Sequence, residues 1–457
     1  MRFTNLTRQT EIGANSYFLE LEEKKLVLDA GLHPKNEGEE ALPLYRLLPD
    51  GILDAILVTH AHQDHIGSLP VLMRHQPQAR VFMTHPTAKI TDAMLHNSVN
   101  VMSRLRDELG IRSYPLFTHR ETDNASQLWQ SVGLRQHWTF DGERVSSPEE
   151  EPTFEMYDAG HILGSAGIFL RGEGKKIFYT SDVNFLGQTV MKAAEFPEEP
   201  LDVLIIETTR GDRKLDPHFS RKNEEERFID AIESAFATGG SVLVPVFALG
   251  KTQEILTMLH LAKQQGRLTD VLTYIGGLST KVTIIHDQLA SQSIRQQEGL
   301  QILDSLAPYV LSGRELPTTQ ITQNRTYVLS SGMMTEKTLS NQLATRFLVD
   351  SKQSIFFVGY TDPDSPGGRL KTAKQGELIQ LDEDSPSQRV DCVVREFDFS
   401  AHAPREYLLD YIRKVTPRAV VLVHGDSLAI AWFQQKISAE MPNTTIVVPE
   451  PGKEYEF

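Results

Sequence analysis

Four side chains that commonly bind metal ions lie within six residues of one another: His60, His62, Asp64 and His65. An apolar, β-branched run precedes them, so we expect them on the loop that leaves a strand. Side chains alternate along an extended chain, which sends His60 and His62 to the same side, and Asp64 and His65 then begin the next turn. A single zinc ion takes about four ligands. The grouping therefore suits two adjacent ions, completed by ligands from elsewhere.

Three further segments offer such ligands. His161 lies in a glycine-flanked loop, and Asp182 and His424 each follow an apolar run. The carboxylate of Asp182 is able to bridge two ions. In a paired-metal site the ions lower the pKa of a shared water or hydroxide, which becomes a nucleophile at neutral pH. The residues by themselves favour hydrolysis of a phosphodiester or an ester.

The elements that must position these residues follow an α/β pattern, in which short apolar runs alternate with longer helical patterns. Strands are predicted at 25–28, 55–59, 80–83, 176–180, 203–206, 241–245, 326–329, 354–358, 390–394 and 419–423, and helices at 224–237, 252–265 and 404–414. Polar stretches at 141–152 and 381–388 are predicted to be surface loops. Four of the strands run into His60, Asp182, Glu207 and His424. Ligands gather just beyond strand ends in such sheets, so we expect these four side chains together.

Length, charge and cysteine content narrow the functional class. A chain of 457 residues is too long for one compact core, which predicts two or three domains. The formal net charge of −15 repels polyanions at long range, so a nucleic acid would have to be held by a local basic patch or by metal ions. No apolar run approaches the roughly 18 residues of a membrane span, and the single cysteine, Cys392, excludes an intramolecular disulfide. We therefore expect a cytoplasmic protein without a membrane partner, whose metal ligands are His and carboxylate.

The motifs and their order resemble a known family. LDAGLHP at 28–34, HAHQDH at 60–65, AGHILGSA at 159–166 and TSD at 180–182 resemble the metallo-β-lactamase fold. The segments at 204–207, 244–250, 330–333, 399–403 and 422–425 are similar to its β-CASP branch, the RNA- and DNA-processing nucleases that include the endonuclease subunit of the cleavage and polyadenylation specificity factor. The resemblance covers nearly the whole chain.

The resemblance implies a complete ligand set for two metal ions. One metal would be held by His60, His62 and His161, the second by Asp64, His65 and His424, and Asp182 would bridge them. Metal-bound histidines usually need a hydrogen-bond partner, and Asp29 is expected to serve one of them.

The same resemblance implies the acid of the reaction. His402 would protonate the leaving oxygen, and Glu207 would orient the His402 ring. Asp64 and Asp182 would be the other catalytic residues. The chemistry agrees, because an imidazole titrates near neutrality and an adjacent carboxylate raises its pKa and fixes its tautomer. The alternative is that Glu207 and His402 are only a capping or salt-bridged pair.

The fold class implied is α/β, or α+β in some schemes. A four-layer αββα metallo-β-lactamase sandwich would comprise 1–205 and a returning part at 387–457. An α/β β-CASP cap would interrupt it at 206–386.

Substrate contacts are expected from the cap at Lys251, Ser331 and Gly332. A phosphate-loop interpretation of Gly250-Lys251-Thr252 is excluded, because the first glycine of that motif would fall at Pro245. Gly367, Gly368 and Arg369 either present N–H groups and a cation to a phosphate or form an ordinary glycine turn. Nine histidines match no motif and are predicted to be surface or packing residues: His33, His75, His85, His96, His119, His137, His218, His260 and His286.

The leading hypothesis is a zinc-dependent ribonuclease of RNA processing or decay, with a metal-bridging hydroxide as nucleophile. We expect two Zn²⁺ per chain, with Mn²⁺ or another divalent metal as the alternative, and single-stranded RNA as substrate. Exonuclease and endonuclease action and a homodimer are left open. Two other classes remain: a small-molecule ester or phosphodiester hydrolase of the same superfamily, which the acidic surface favours, and a catalytically silent RNA-processing scaffold, which would be expected to have lost ligands.

Overall fold

The computed structural model describes residues 1–147 and 152–457, so part of the surface loop predicted at 141–152 lies outside the described residues. The chain divides into two compact units. The first comprises Met1–Gly187, Ala193–Leu215 and His402–Phe457, and the second comprises Gln188–Lys192 and Asp216–Ala401. The chain thus leaves the first unit and returns to it. Within the described residues, no helix is both long and apolar enough to cross a membrane.

The strands are, in chain order, β1 (Arg2–Asn5), β2 (Tyr17–Leu21), β3 (Lys24–Leu28), β4 (Ala55–Leu57), β5 (Arg80–Thr84), β6 (Trp129–Val132), β7 (His137–Thr139), β8 (Arg144–Val145), β9 (Thr153–Asp158), β10 (Ala166–Gly172), β11 (Lys175–Tyr179), β12 (Val203–Glu207), β13 (Val242–Pro245), β14 (Leu272–Ile275), β15 (Tyr309–Val310), β16 (Arg325–Leu329), β17 (Ser354–Phe357), β18 (Leu378–Ile379), β19 (Gln388–Arg389), β20 (Val393–Glu396), β21 (Ala419–Val423), β22 (Thr445–Val447) and β23 (Glu454–Glu456). The α-helices are α1 (Gln63–Ile66), α2 (Leu69–His75), α3 (His85–Leu109), α4 (His119–Ser126), α5 (Arg221–Ala237), α6 (Lys251–Gln264), α7 (Leu278–Gln288), α8 (Ile302–Leu306), α9 (Leu339–Phe347), α10 (Pro366–Thr372), α11 (Arg405–Val415) and α12 (Ser427–Glu440).

Two sheets form the first unit. One has the order β23-β1-β2-β3-β4-β5-β6, and the other has the order β22-β21-β12-β11-β10-β9-β7-β8. Their facing surfaces share one apolar core, to which Leu26 and Leu28 contribute from β3 and Ile168 and Leu170 from β10. Sheets that pack face to face place alternate residues of each strand in this core.

The central strands of the second sheet are apolar throughout because both of their faces are covered. Every residue of β21, AVVLV, is buried. Val421 and Val423 pack in the core between the sheets, whereas Val420 and Leu422 pack in a second core with residues of α11 and α12. Continuous apolar runs are typical of parallel strands buried on both faces.

Helix α3 covers the first sheet, where it contacts β5 and β6. The sequence analysis did not predict this 25-residue helix. Its start carries a signal nevertheless, since the Thr84 side chain accepts the N–H of Thr87 and Pro86 follows in the first turn. With α3 on one side and α11 and α12 on the other, the layers are helix, sheet, sheet, helix, which confirms the predicted αββα fold.

The second unit is built on a six-stranded sheet with the order β15-β14-β16-β13-β17-β20, whose neighbouring strands are all parallel. Helices α5 and α6 pack on one face and α9 and α10 on the other. A small antiparallel pair, β18 and β19, comes between β17 and β20 in the sequence. The strand predicted at 390–394 begins only at Val393, because the backbone N–H groups of Asp391 and Cys392 donate to the carbonyl oxygen of Leu348 and not to β17.

Candidate metal centre

The predicted site residues meet at the carboxyl ends of strands in the first unit. Strands β11, β12 and β21 are neighbours and run parallel, so their carboxyl ends share one edge of the sheet. Asp182 follows β11, Glu207 ends β12 and His424 follows β21. The loop after β9 adds His161, and the loop after β4 of the other sheet adds His60 and the residues that follow it. Segments near both ends of the chain thereby reach one place.

The backbone near these residues takes an unusual conformation. Asp29, Ser181 and His424 have φ values of 59°, 50° and 50°, in the left-handed region that non-glycine residues seldom adopt. Each lies just after a strand of the first unit. Such conformations persist where surrounding structure fixes them, and they cluster at functional sites.

The first group of ligand atoms comes from His60, His62, His161 and Asp182, within 4.8 Å of one another. Nδ1 of His62 lies 3.2 Å from Nε2 of His60 and 3.1 Å from Nε2 of His161. Three imidazole nitrogens that face one another this closely cannot all carry protons. Neutral imidazole nitrogens grouped this closely suit a shared cation.

The second group comes from Asp64, His65 and His424, again within 4.8 Å. Nε2 of His424 lies 3.3 Å from Oδ2 of Asp64. Nε2 of His65 lies 3.7 Å from the same oxygen, while its Nδ1 contacts Oδ2 of Asp29 at 2.8 Å. Asp29 therefore supports a ligand imidazole, as the sequence analysis expected.

Asp182 stands between the two groups. Its Oδ2 lies 3.5 Å from Nε2 of His60 and 3.6 Å from Nε2 of both His65 and His161. Its Oδ1 is 3.2 Å from Nδ1 of His424, is buried, and makes no hydrogen bond within the described part of the chain. A buried carboxylate oxygen without a donor is costly unless a cation or another group satisfies it. The donor set thus fits two divalent ions.

A third group joins Asp182, Glu207 and His402. Nδ1 of His402 is 3.2 Å from each carboxylate oxygen of Glu207, and Nε2 of His402 is 3.9 Å from Oδ2 of Asp182. Glu207 also accepts the backbone N–H of Val183 at 2.8 Å and that of Thr209 at 3.3 Å. Glu207 therefore accepts backbone N–H groups, as the alternative of a capping residue predicted. The same carboxylate also contacts the imidazole of His402.

Electrostatics divide the imidazoles by role. Burial lowers the pKa of His60 well below its usual value and that of His62 to about 4, which leaves both rings neutral with a lone pair to offer. Burial also lowers the pKa of His402, but the carboxylates of Glu207 and Asp182 outweigh it and raise that pKa to about 9. His402 therefore carries a proton at neutral pH. Burial lowers the pKa of His65 too, but the carboxylates of Asp182, Asp29 and Asp64 outweigh it and hold that pKa well above its usual value.

The carboxylates of the centre are ionised. Burial raises the pKa of Asp64, but His65 and His424 lower it to about 2. Burial likewise opposes ionisation of Asp182, and His424 and His65 bring its pKa well below the usual value. Two anionic oxygens among five imidazoles provide the negative charge that divalent cations require.

Several residues around the centre carry no motif and were missed from the sequence. Asp29 accepts the N–H and hydroxyl of Thr59 and the hydroxyl of Tyr179. The hydroxyl of Thr209 lies 2.9 Å from Nδ1 of His424, and Nδ2 of Asn15 lies 3.0 Å from Nε2 of His65. Thr59 ends the strand predicted at 55–59 and Thr209 lies three residues beyond the strand predicted at 203–206, and this position near a strand end is a signal for both. Asn15 carries no such signal, because it lies fifty residues before His65 in the chain and no local pattern links the two.

The residues predicted to contact substrate from the cap all lie in the second unit. Lys251 is buried at the start of α6, and its ammonium donates to the carbonyl oxygen of Phe399. Ser331 is half-buried, accepts the N–H of Thr335 at 3.0 Å, and precedes the buried Gly332. Contact of these residues with a substrate stays a prediction.

The double-glycine segment makes hydrogen bonds and close backbone contacts within the second unit. The N–H of Gly367 donates to the carbonyl oxygen of Met333, and that of Gly368 donates to the hydroxyl of Ser365. A Cβ on Gly368 would lie 2.0 Å from the carbonyl oxygen of Asp362. These contacts favour the structural alternative for the glycines, while the exposed Arg369 donates to the carbonyl oxygens of Asp364 and Gln380.

Three segments of the chain match family models. Residues 10–203 match the metallo-beta-lactamase superfamily, residues 252–370 match the Beta-Casp domain, and residues 387–449 match the Zn-dependent metallo-hydrolase RNA specificity domain. The first and third segments contain the predicted metal ligands, and the third also contains His402. The matches occur in the order that the resemblance of the sequence implies.

Curated relatives align along nearly the whole chain. Cleavage and polyadenylation specificity factor subunit 3 of Dictyostelium discoideum is 27% identical over 98% of this chain and 56% of its own length. Endoribonuclease YSH1 of Eremothecium gossypii is 28% identical over 93% of this chain and 55% of its own length. Cleavage and polyadenylation specificity factor subunit 3-I of Arabidopsis thaliana is 28% identical over 99% of this chain and 63% of its own length. The chain thus spans somewhat more than half the length of these relatives.

A solved structure shares the fold. A protein of unknown function from Enterococcus faecalis V583 aligns with a TM-score of 0.60 over 99% of both chains, at 12% sequence identity. At this identity the likeness concerns the arrangement of the elements alone.

Proposed function

This chain belongs to the β-CASP branch of the metallo-β-lactamase superfamily, and on that basis we propose that it is a metal-dependent ribonuclease that hydrolyses RNA phosphodiester bonds. The match of residues 387–449 to an RNA specificity domain supports RNA as the substrate. The names of the relatives, an endoribonuclease and subunits of a cleavage and polyadenylation specificity factor, support it further.

The metal centre proposed has two divalent ions, with Zn²⁺ as the first choice and Mn²⁺ as the alternative. His60, His62 and His161 would hold one ion, Asp64, His65 and His424 the other, and Asp182 both. Imidazole nitrogens and carboxylate oxygens suit zinc. The buried Oδ1 of Asp182, which lacks a hydrogen bond within the described residues, supports the assignment from the chain's own geometry.

Divalent ions held by these residues would lower the pKa of water, which would release a proton to solvent and supply hydroxide as the nucleophile near neutral pH. His402 holds the proton that the leaving oxygen needs, and Glu207 keeps the ring oriented through Nδ1. A new P–O bond forms to the water oxygen as the bond to the 3′ oxygen breaks. The 3′ oxygen takes the proton from Nε2 of His402, which gives 3′-hydroxyl and 5′-phosphate ends.

Endonuclease action is the mode we propose, because a relative that aligns with 93% of this chain is named an endoribonuclease. Circular single-stranded RNA tests this directly, since an exonuclease has no end on which to begin. Linear products from the circle would support the proposal, and degradation of linear RNA with the circle left intact would contradict it. The cytoplasmic location expected from the sequence stays a prediction, and a homodimer stays an open alternative.

The observation that carries the proposal is the convergence of seven ligand side chains from distant parts of the chain on one edge of the sheet. The test compares wild-type protein with Asp182→Asn and His62→Ala on end-labelled single-stranded RNA, after purification free of contaminating nuclease. We expect both variants to lose at least 100-fold in rate, in the range that loss of a key electrostatic group causes. His75→Ala is the matched control, because this histidine is half exposed and lies outside the three groups. Wild-type rates for Asp182→Asn would contradict the proposal.

A further inference from the structure

Two aromatic side chains are exposed at one small cleft of the second unit. Phe247 and Tyr360 are 37% and 50% exposed, and both line a cavity of about 10 Å³. Apolar residues that line the cavity with them, including Val246 and Phe357, are buried. The two rings therefore provide most of the apolar surface that this cleft presents to solvent.

The cleft lies at a position in the sheet where ligands commonly bind. Phe247 follows β13 and Tyr360 follows β17, and these neighbouring strands run parallel. The next helix after β13 is α6, on one face of the sheet, and the next helix after β17 is α10, on the other face. Where two connections diverge in this way, open α/β sheets bind ligands just beyond the carboxyl ends of the strands.

The position of Phe247 is fixed by its neighbours. Its carbonyl oxygen accepts the N–H of Thr252 at 3.1 Å and the hydroxyl of the same residue at 2.8 Å. Gly332 packs against the ring, since a Cβ on this glycine would lie 3.3 Å from Cδ2 of Phe247. A side chain anchored in this way has less conformational freedom to lose when a ligand packs against it, so more of the contact energy is retained as affinity.

A flat ligand suits exposed rings above so small a cavity. The cavity has room for about one water molecule, so a ligand would lie across the rings and not enter between them. The bases of single-stranded RNA stack on aromatic side chains in this way, whichever base is presented. Stacking also does not depend on charge, which matters for a chain whose formal net charge of −15 repels a polyanion.

We propose that Phe247 and Tyr360 stack a base of single-stranded RNA and so form a substrate-binding element of the second unit. The inference rests on RNA being the substrate, as proposed above. It adds a base contact to the substrate residues that the sequence analysis expected in this unit, of which Lys251 and Gly332 line the same cleft. Loss of either ring should therefore weaken RNA binding.

The test measures RNA affinity with both rings present and with each removed. The parent protein carries Asp182→Asn, so that RNA is not cleaved during the measurement, and it is compared with the same protein carrying Phe247→Ala or Tyr360→Ala. Fluorescence anisotropy gives the dissociation constant for a labelled single-stranded oligoribonucleotide. Each alanine substitution should raise this constant about 5- to 100-fold, the effect of losing one stacked base.

A second oligonucleotide tests whether the rings contact a base. It has the same length and the same sugar-phosphate backbone, but every nucleotide is abasic. The parent protein should bind it more weakly than the RNA with bases. Phe247→Ala should bind the abasic strand as the parent does, because the ring then has no base to contact.

Salt separates stacking from a contact to phosphate. Phosphate contacts release counterions and weaken as salt rises, whereas stacking on an apolar ring releases none. The ratio of the dissociation constants of Phe247→Ala and the parent should therefore stay the same at low and high salt. A ratio that falls toward one as salt rises would overturn the assignment of a base.

Tyr309→Ala is the matched control. Tyr309 is 53% exposed in the same unit, but it lies on β15, which β14 and β16 separate from β13, so RNA affinity should match that of the parent. Phe247→Leu is a second variant in case the alanine variant fails to fold. It retains apolar size without a flat ring and should also weaken binding, whereas Tyr360→Phe retains the ring and should retain most of the affinity.

Parent affinity for RNA in folded Phe247→Leu and Tyr360→Ala proteins would overturn the inference. That outcome would leave the ribonuclease proposal standing as long as the protein with Asp182 intact cleaves RNA. A wild-type protein that neither binds nor cleaves RNA would remove both.

Discussion

Nδ1 of His402 lies 3.2 Å from both carboxylate oxygens of Glu207, a side chain that is only 1% exposed. Backbone N–H groups of Val183 and Thr209 hold the same carboxylate. Glu207 therefore cannot rotate away, and the ring keeps Nε2 toward Asp182. The contact both orients His402 and favours its protonated form.

Replacing Glu207 by Gln should shift the pH profile of RNA cleavage. The carboxylate raises the pKa of His402, and a general acid works only while protonated, so activity is retained below that pKa and lost above it. Without the charge, the alkaline loss of kcat should begin at a pH lower by about 1–3 units, the size of a close charge interaction. Bound cations lower the pKa in both proteins, so the quantity to compare is the difference between their profiles.

Two controls separate this effect from loss of structure. His402→Ala should lower kcat at all pH values and remove the alkaline limb assigned to this group. Glu207→Asp retains the charge on a shorter side chain and should retain more of the alkaline activity than Glu207→Gln. An unchanged alkaline limb in a folded Glu207→Gln protein would contradict the orienting role.

Removing divalent metal should lower the thermal stability of the protein. A ligand that binds only the folded state adds about 2.7 kcal/mol per site at a concentration 100 times its Kd. Chelation also leaves the buried carboxylate of Asp182 without a cation. Differential scanning calorimetry with and without chelator should show a lower Tm that added Zn²⁺ restores. In Asp182→Ala the difference between the two conditions should shrink, and an equal Tm for chelated and zinc-loaded wild type would contradict the prediction.

The sequence was most informative where chemistry and local pattern coincide. HAHQDH after an apolar run predicts a strand followed by a ligand loop, and β4 and α1 have this arrangement. Apolar runs such as AVVLV predict strands because both faces of the strand are buried. The predicted family and fold are confirmed, and the side chains expected at the centre do come together.

Other features depend on contacts that no local pattern encodes. Helix α3 is not one of them, because its buried stripe, which includes Ile90, Leu95 and Val99, and the capping signals of its first turn are local patterns that the prediction missed. Asn15 reaches His65 only because β2 and β3 return the chain past the ligand loop. The first unit includes residues up to Leu215, and the hydroxyl of Thr208 donates to the carbonyl oxygen of Val423 after β12 ends. The domain limits expected from the sequence stay predictions.

Replacing Gly31 by Ala should disrupt the ligand loop. A Cβ at Gly31 would lie 1.8 Å from the carbonyl oxygen of Asp64 and 2.6 Å from the backbone nitrogen of Asn15. The backbone of Asp64 must move to relieve the overlap, which displaces a proposed ligand. We expect a stability loss of about 1–3 kcal/mol, the usual cost of overpacking, and a bound-metal content that falls below that of wild type.

Gly313→Ala is the control for this substitution. Its nearest Cβ contact within the described residues would be a side-chain methyl of Leu339 at 3.9 Å, an ordinary distance. Metal content by mass spectrometry and unfolding by urea should match wild type in this variant. A Gly31→Ala protein with full metal content and wild-type stability would show that the loop tolerates the overlap.

Asp158 should make the first unit less stable as the pH rises from about 4 to about 7. Burial raises the pKa of this carboxyl group to about 7. The N–H of Gly160 donates to the carboxylate and opposes this shift, because it favours the charged form. The unfolded chain ionises near pH 4, so between about pH 4 and 7 the folded state binds the extra proton and stability falls with rising pH. Asp158→Asn removes this loss, and the variant should gain about 1–3 kcal/mol on wild type between pH 5 and pH 8. Urea unfolding at both pH values measures the difference, with exposed Asp270→Asn as the control. An equal pH dependence for wild type and Asp158→Asn would contradict the assignment, because the carboxyl group would then ionise alike in the folded and unfolded chains.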